Sequence, residues 1–275
     1  MSTQQRKASA VLIAIVAVIG CGGGKPQEEP TASSERPLQV AQATGGEASH
    51  GAAPGGGMPA GASGAATITG TVKFDGSAPA AEPVQMAADP ACQQQHSGPV
   101  LTEDVVVNTN GTLKNVVVYV KTGLQGSFPA PTQPVVLDQV GCWYKPHVFG
   151  IQTNQPLKIV NSDATLHNIN AKTVANQPFN VSQPVKVMKT TKKFAKPEVG
   201  VKFKCNVHPW MNAHAVVVEH PFFSVSDDTG NFSIAGLADG TYTLEAWHET
   251  YGTQTKDVTV AGGQATPVEF TFKGQ

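Results

Sequence analysis

Charged residues are scarce in this chain, at 14%, and aromatic residues scarcer, at 7%. Positive and negative charges nearly cancel to a formal net charge of -1, so there is no basic surplus of the kind that nucleic acid or an anionic membrane surface attracts. A Gly-x-Ser-x-Gly nucleophile turn and a Gly-rich phosphate loop are both missing, which removes the common hydrolase and nucleotide-binding readings. No convincing amphipathic helix longer than two turns can be read. Only four cysteines are present, and no second Cys lies near the one in the His-bearing stretch described below, which argues against a Cys-rich zinc cluster. Glycine and proline, at 28 and 20 residues, are plentiful, with much of both near the N-terminus. This composition predicts all-β folding behind an unstructured leader.

Residues 1–20 read as an export signal. Arg6 and Lys7 give a positive start, and the apolar run Ala8–Ile19 is too short for a comfortable membrane span. The run ends Val18-Ile19-Gly20-Cys21, which resembles the lipobox of bacterial lipoproteins. That resemblance implies a lipidated Cys21 and an exported protein anchored to a bacterial membrane, facing the periplasm or the cell exterior. An ordinary signal peptide or an uncleaved anchor helix is the alternative. Residues 21–66 are rich in Gly, Ala, Pro, Ser, Glu and Gln and predict a disordered linker. His50 and Met58 within it read as stray residues.

Folded sequence begins near Thr67, where Thr67–Phe74 alternates before an Asp75-Gly76 turn. A hairpin is predicted from Val105–Val107 and Leu113–Val120 around Asn110-Gly111. Later strands are expected at Val135–Leu137, Val148–Gln152, Leu157–Val160, Val185–Val187, Val201–Cys205 and Ala215–Glu219. Short strands with Gly/Pro punctuation predict β-sandwich architecture. The segments divide as 67–133, an N-terminal β segment, 134–220, and 221–275. Within the last, Asp227-x-x-Gly230-x-Phe232-x-Ile234-x-Gly236-Leu237-x-x-Gly240-x-Tyr242-x-Leu244 resembles the carboxypeptidase regulatory-like, or prealbumin-like, β-sandwich. The opening strand of that family looks like Ile68–Val72. The module is therefore either contiguous, or split so that residues near 67–125 pair with 221–275 around an insertion.

The stretch Lys204–Met211 carries the chemistry. A thiolate, an imidazole and a thioether follow the spacing Cys205-x-x-His208-x-x-Met211, and soft sulfur ligands select copper. A further imidazole is available at His167, six residues after Asn161. Together the two motifs resemble the cupredoxins, the type 1 blue copper proteins, and most of all the short-loop amicyanin type. This implies a Greek-key β-sandwich over 134–220 with one copper held by His167, Cys205, His208 and axial Met211. It also implies that Asn161 ties the two ligand loops together, and that Pro209 and Trp210 form an apolar collar where a redox partner docks. Zinc would rarely take a Met, a binuclear copper centre needs a second Cys in this loop, and no carboxylate replaces Met211 as a red-copper site would require.

In an exported protein Cys92 and Cys142 default to a disulfide, stabilising by about 4 kcal/mol in the chain-entropy model. The rival is a second metal site from Cys142, His147 and His96. His147 reads as structural or at the surface, His214 as a poorer substitute for His208, and His220 and His248 as surface or interdomain residues. Trp247-His248-Glu249 is a candidate to face the copper domain. The function expected is a membrane-tethered electron carrier with unidentified redox protein partners and no nucleic acid. A copper-delivery lipoprotein and a metal-free envelope scaffold or adhesion protein are the alternatives. Copper oxidases and nitrite reductases of this fold need further His-rich sites across several domains, so the chain is read as no enzyme. Lipoproteins of this architecture resemble methylamine utilisation proteins, which implies a dehydrogenase donor to which nothing in the sequence commits.

Overall fold

The computed structural model describes residues 66–274; the export signal, Cys21 and the linker up to residue 65 lie outside them. The chain runs through β1 (Ala66–Asp75), a short helix α1 (Pro90–Gln93), and β2 (Val117–Thr122). It continues through β3 (Val135–Gln139), β4 (Tyr144–Lys145), β5 (Val148–Gln152), β6 (Leu157–Asn161), β7 (His167–Lys172), β8 (Phe179–Gln183), β9 (Lys189–Lys192), β10 (Glu198–Lys204) and β11 (Asn212–Val218). The last strands are β12 (Phe223–Val225), β13 (Asn231–Leu237), β14 (Gly240–His248), β15 (Gly252–Ala261), β16 (Gln264–Ala265) and β17 (Val268–Lys273). The fold is all-β.

Four sheets make two sandwiches. The first joins β13-β1-β17 to β12-β2-β14-β15-β16, and the second joins β5-β11-β10-β7-β8 to β4-β3-β6-β9. β1 alternates buried Ala66, Ile68, Gly70 and Val72 with outward Thr67, Thr69 and Lys73, as a strand with one face on a core must. It lies antiparallel to β13 and parallel to β17. The first sandwich is therefore split in sequence, and the second is inserted between β2 and β12. Its core holds Ile68, Leu113, Val118, Phe232, Leu244 and Phe270. The second has a separate core built on Leu137, Ile159, Ile169, Phe149 and Phe203.

A third cluster, Val117, Tyr119, Val148, Val216, Val218 and Trp247, packs the two sandwiches together. Two glycines permit this approach. A Cβ on Gly150 would meet the Phe223 ring at 2.3 Å, and Gly200 combines φ +77° with a Trp247 ring carbon 3.0 Å from where its Cβ would lie.

Two expected strands are not formed. Val185–Val187 is a turn between β8 and β9, with Val187 at φ 65°. The Asn110-Gly111 turn is present, but its hairpin shrinks to one bridge between Val107 and Leu113. The hairpin keeps two cross-strand bonds, Asn108 N–H to Thr112 O and Lys114 N–H to Val106 O, and beyond it the chain turns to β12's flank, with Asn115 N–H donated to Ser226 O and Val116 N–H to Ser226 Oγ.

Candidate metal centre

The site forms at one end of the order β11-β10-β7. Cys205 directly follows β10, Met211 directly precedes β11, and His167 is the first residue of β7. The loop is cross-braced: Cys205 N–H donates to Met211 O at 3.1 Å and Met211 N–H to His208 O at 3.0 Å. His167, Cys205, His208 and Met211 are all buried, with at most 3% exposure. The donor atoms of His167, Cys205 and His208 lie within 4.8 Å of one another. Met211 belongs to the same apolar cluster as Cys205.

The orientation of the imidazoles is decisive. His167 Nε2 is 2.8 Å from Asp163 Oδ2, and His208 Nε2 is 2.9 Å from Asp89 Oδ2. With each Nε2–H donated outward, both Nδ1 atoms turn inward, 3.0 Å apart. At that separation only one of the two Nδ1 atoms can carry a proton. Cys205 Sγ is 3.7 Å from His208 Nδ1 and accepts the His208 N–H at 3.4 Å. Burial pushes the Cys205 thiol up, but hydrogen bonds from His167 and His208 outweigh it and bring it down to about 5. Burial likewise lowers His167 and His208, yet their carboxylate and thiolate neighbours leave both above the ordinary imidazole value. Asp163 is raised by burial and lowered by more through His167 and the backbone of Cys142 and Gly141. A thiolate, two inward imidazole nitrogens and a buried thioether residue are the soft donor set that suits copper.

Asn161 falls near the site but does not make the expected tie. Its amide donates to Thr165 O and Gln183 O, and its carbonyl accepts from Asp163 N–H, so it shapes the loop that precedes His167. The link between the two ligand loops is Asn168, whose side-chain oxygen accepts the Asn206 N–H. Pro209 is exposed. Trp210 is half-buried, its ring 5.2 Å from His208 and its indole N–H donated to Cys142 O.

The sequence reading missed Asp89 and α1. The segment between β1 and β2 folds over His208, leaving that imidazole 2% exposed. Asp89 caps α1 through Oδ1, which accepts from Ala91 N–H at 2.9 Å, while Oδ2 faces His208. The signal was legible in hindsight: Asp89-Pro90 reads as a cap followed by a first-turn proline. Cys92 on α1 forms a disulfide with Cys142. Cys142 is therefore no metal ligand in this state, and His96 Nε2–H donates to Gly141 O at 2.8 Å rather than joining Cys142 and His147.

The other described histidines lie apart from this cluster. His147 and His214 are buried at the junction and both approach the Glu249 carboxylate, His147 by a hydrogen bond and His214 at 2.8 Å without an aligned one. Trp247 lies 5.8 Å from the His214 ring. His248, expected at the surface or between domains, is 1% exposed because it packs on Tyr251 and Phe272 inside the first sandwich. His220 is half-buried against Val120 O.

A family model described as the carboxypeptidase regulatory-like domain matches residues 210–273. None of the curated proteins matches the chain. Similar solved structures include a copper-containing nitrite reductase from Thermus scotoductus SA-01, 23% identical with TM-score 0.30, covering 35% of this chain and 25% of its own. The chain thus spans a quarter of that protein's length. An amicyanin variant in its Cu(I) form is 15% identical with TM-score 0.28, covering 36% of this chain and 97% of its own. A purple cupredoxin from Nitrosopumilus maritimus is 20% identical with TM-score 0.26, covering 30% of this chain and 97% of its own. The chain is therefore similar to a regulatory-like β-sandwich in its last quarter and, over about a third of its length, to copper proteins.

Proposed function

We propose that this chain is a single-electron carrier of the bacterial envelope, tethered through Cys21, with one copper held by His167, Cys205, His208 and Met211. The observation that carries the reading is convergence. Two imidazole Nδ1 atoms and a thiol with a lowered pKa meet in one buried place, and each outer imidazole nitrogen is tied to a carboxylate. Copper in such a donor set supplies reversible one-electron exchange.

The protein does the positioning. Hydrogen bonds from His167 and His208 hold the Cys205 thiol well below its ordinary value, at about 5, so the proton displaced on metal binding leaves from an imidazole Nδ1 rather than from sulfur. Asp163 and Asp89 hold the tautomer that points both Nδ1 lone pairs inward. The donors stand at the ends of adjacent strands of one sheet and on the cross-braced loop between β10 and β11, which keeps them in place when the charge at the centre changes. Phe149, Phe203 and their apolar neighbours keep water from the sulfur. Docking involves the exposed Pro209, with Trp210 behind it and the outer face of α1 alongside, rather than a bare imidazole edge. The electron donor and acceptor are other redox proteins, and the chain is no enzyme and no nucleic-acid binder.

Copper delivery is the competing use of the same donors. The cover over His208 speaks against it, because handing a metal to a partner requires an open ligand. Visible absorption and electron paramagnetic resonance after Cu(II) addition test the proposal. An intense blue band with narrow copper hyperfine splitting, bleached and restored by mild reductant and oxidant and absent in Cys205→Ala, is expected. A colourless chain that retains no copper after desalting overturns it.

A further inference from the structure

The disulfide lies against the copper ligands. Cys92 Sγ is 3.5 Å from His208 Nε2, on the opposite side of the ring from the Nδ1 that faces Cys205. Cys92, Cys142 and His208 offer donor atoms within 4.8 Å of one another, and so do Cys142, Asp163 and His167. Both sulfurs are fully buried, and each is positioned independently of the bond between them. Cys92 sits on α1, whose cap at Asp89 accepts the Cys92 N–H at 3.3 Å. Cys142 is pinned by its own N–H to Asp163 Oδ2 at 2.7 Å and by its carbonyl to Trp210. Opening the disulfide therefore leaves two thiols side by side next to an imidazole.

We propose that Cys92 and Cys142, once reduced, form a second copper(I) site that shares His208 with the first. A dithiol reductant attacks the Cys92–Cys142 bond and closes to its own disulfide, giving two thiols on this chain. Binding of Cu(I) then releases to solvent the two thiol protons and the His208 Nε2 proton that otherwise faces Asp89, and forms two thiolate–copper bonds and one nitrogen–copper bond, with no change in oxidation state at that step. Paired thiolates prefer Cu(I) over harder ions, and His208, whose Nε2 lies beside the Asp89 carboxylate, offers a third donor within 4.8 Å of both sulfurs. The chain would hold one copper when its envelope is oxidising and two when a dithiol donor reaches it. The inference rests on the proposed function only in taking His208 as a ligand of the first copper.

The test is the Cu(I) stoichiometry of the full chain, loaded without oxygen and challenged with a chromophoric Cu(I) chelator. Three samples are compared: the chain with its disulfide closed, the same chain after dithiol reduction and desalting, and Cys92→Ser in both conditions. The expected result is a gain of one copper per chain on reduction of the natural sequence, no gain in Cys92→Ser, and loss of the extra copper when the disulfide is re-formed. An unchanged count on reduction overturns the proposal, as does a gain that survives in Cys92→Ser. The natural chain in its two redox states carries the comparison even if the variant folds poorly. A closed chain that binds no copper sinks the electron-carrier reading instead, and the gain on reduction is scored separately from it.

Discussion

Two buried histidine pairs in the inserted sandwich use carboxylates in opposite ways. At the metal centre, Asp163 and Asp89 take the outer nitrogens of His167 and His208, and the inner nitrogens are left free to converge. At the junction, the single carboxylate of Glu249 lies between the Nε2 atoms of His147 and His214. The residue types are the same and the burial is similar. A sulfur and two inward nitrogens give the first pair the donors of a candidate metal centre, while a carboxylate between two imidazoles makes the second an ionic clamp between sandwiches. The nitrogen left free, rather than the presence of two histidines, decides the chemistry.

The comparison breaks most visibly at Glu249. Replacing Glu249 with Ala leaves two buried imidazoles facing each other across the junction, and removing one partner of a buried ion pair typically costs about 3–5 kcal/mol. Chemical denaturation should report that loss, with copper binding per folded chain unchanged. A fall in copper affinity without a fall in stability would mean that the two pairs are not separate.

The clamp also gives stability a pH signature. Burial raises the Glu249 carboxyl, but His147 and His214 bring it down to about 2 from an ordinary 4.5. Its contribution is thus fully present above its unfolded value and disappears as pH falls toward about 2. Burial lowers His147, but Glu249, Glu103 and Asp104 raise it above 6.5, so its contribution is present below 6.5 and lost as pH rises through the raised value. The pair stabilises most between those limits, in mildly acidic solution. Denaturation midpoints across pH should follow that window in the natural chain and flatten in Glu249→Gln. Equal slopes in the two proteins would remove the clamp from the account.

Among the residues that support the ligands at the candidate metal centre, the largest effect expected is from Asp163→Asn. Asp163 accepts from Gly141 N–H, Cys142 N–H and His167 Nε2–H together, and an amide cannot accept all three. Loss of such a supporting carboxylate typically weakens metal binding by about 10–100-fold. Competition with a copper chelator measures it, and an unchanged affinity would show that Asp163 is not what turns the His167 ring.

Much of this was legible in the sequence, and the exceptions have physical reasons. Cys205, His208 and Met211 fall in one loop between two strands, so local spacing was enough to bring them together. The all-β architecture followed from alternation such as that of β1. The role of Asn168 was hidden because Asn161 and Asn168 both flank His167, and only the register of β7 beside β10 decides which side chain reaches Asn206. The cover by Asp89 was hidden because 119 residues separate it from His208. The failed strand at Val185–Val187 has β-branched residues, but Val187 N–H turns back to Asn161 O and leaves no ladder to join.

The finest prediction concerns the two carboxylates of the metal centre themselves. Asp163 has a side chain 1% exposed, whereas that of Asp89 is 24% exposed. Water can replace the Asp89 carboxylate at His208 Nε2 but cannot reach His167 Nε2. Asp89→Ser is the informative change, because serine keeps the cap on α1 while its shorter side chain withdraws from the imidazole. Copper affinity should therefore fall by less than in Asp163→Asn, by about tenfold or under, and stability should move by only about 0.5 kcal/mol. Chelator competition on both variants ranks them. An Asp89→Ser loss as deep as that of Asp163→Asn would mean that the carboxylate itself, not just any acceptor of the Nε2–H, sets the charge at the centre. His208, beside the partly exposed carboxylate, would then depend on it as strongly as His167 depends on the buried Asp163.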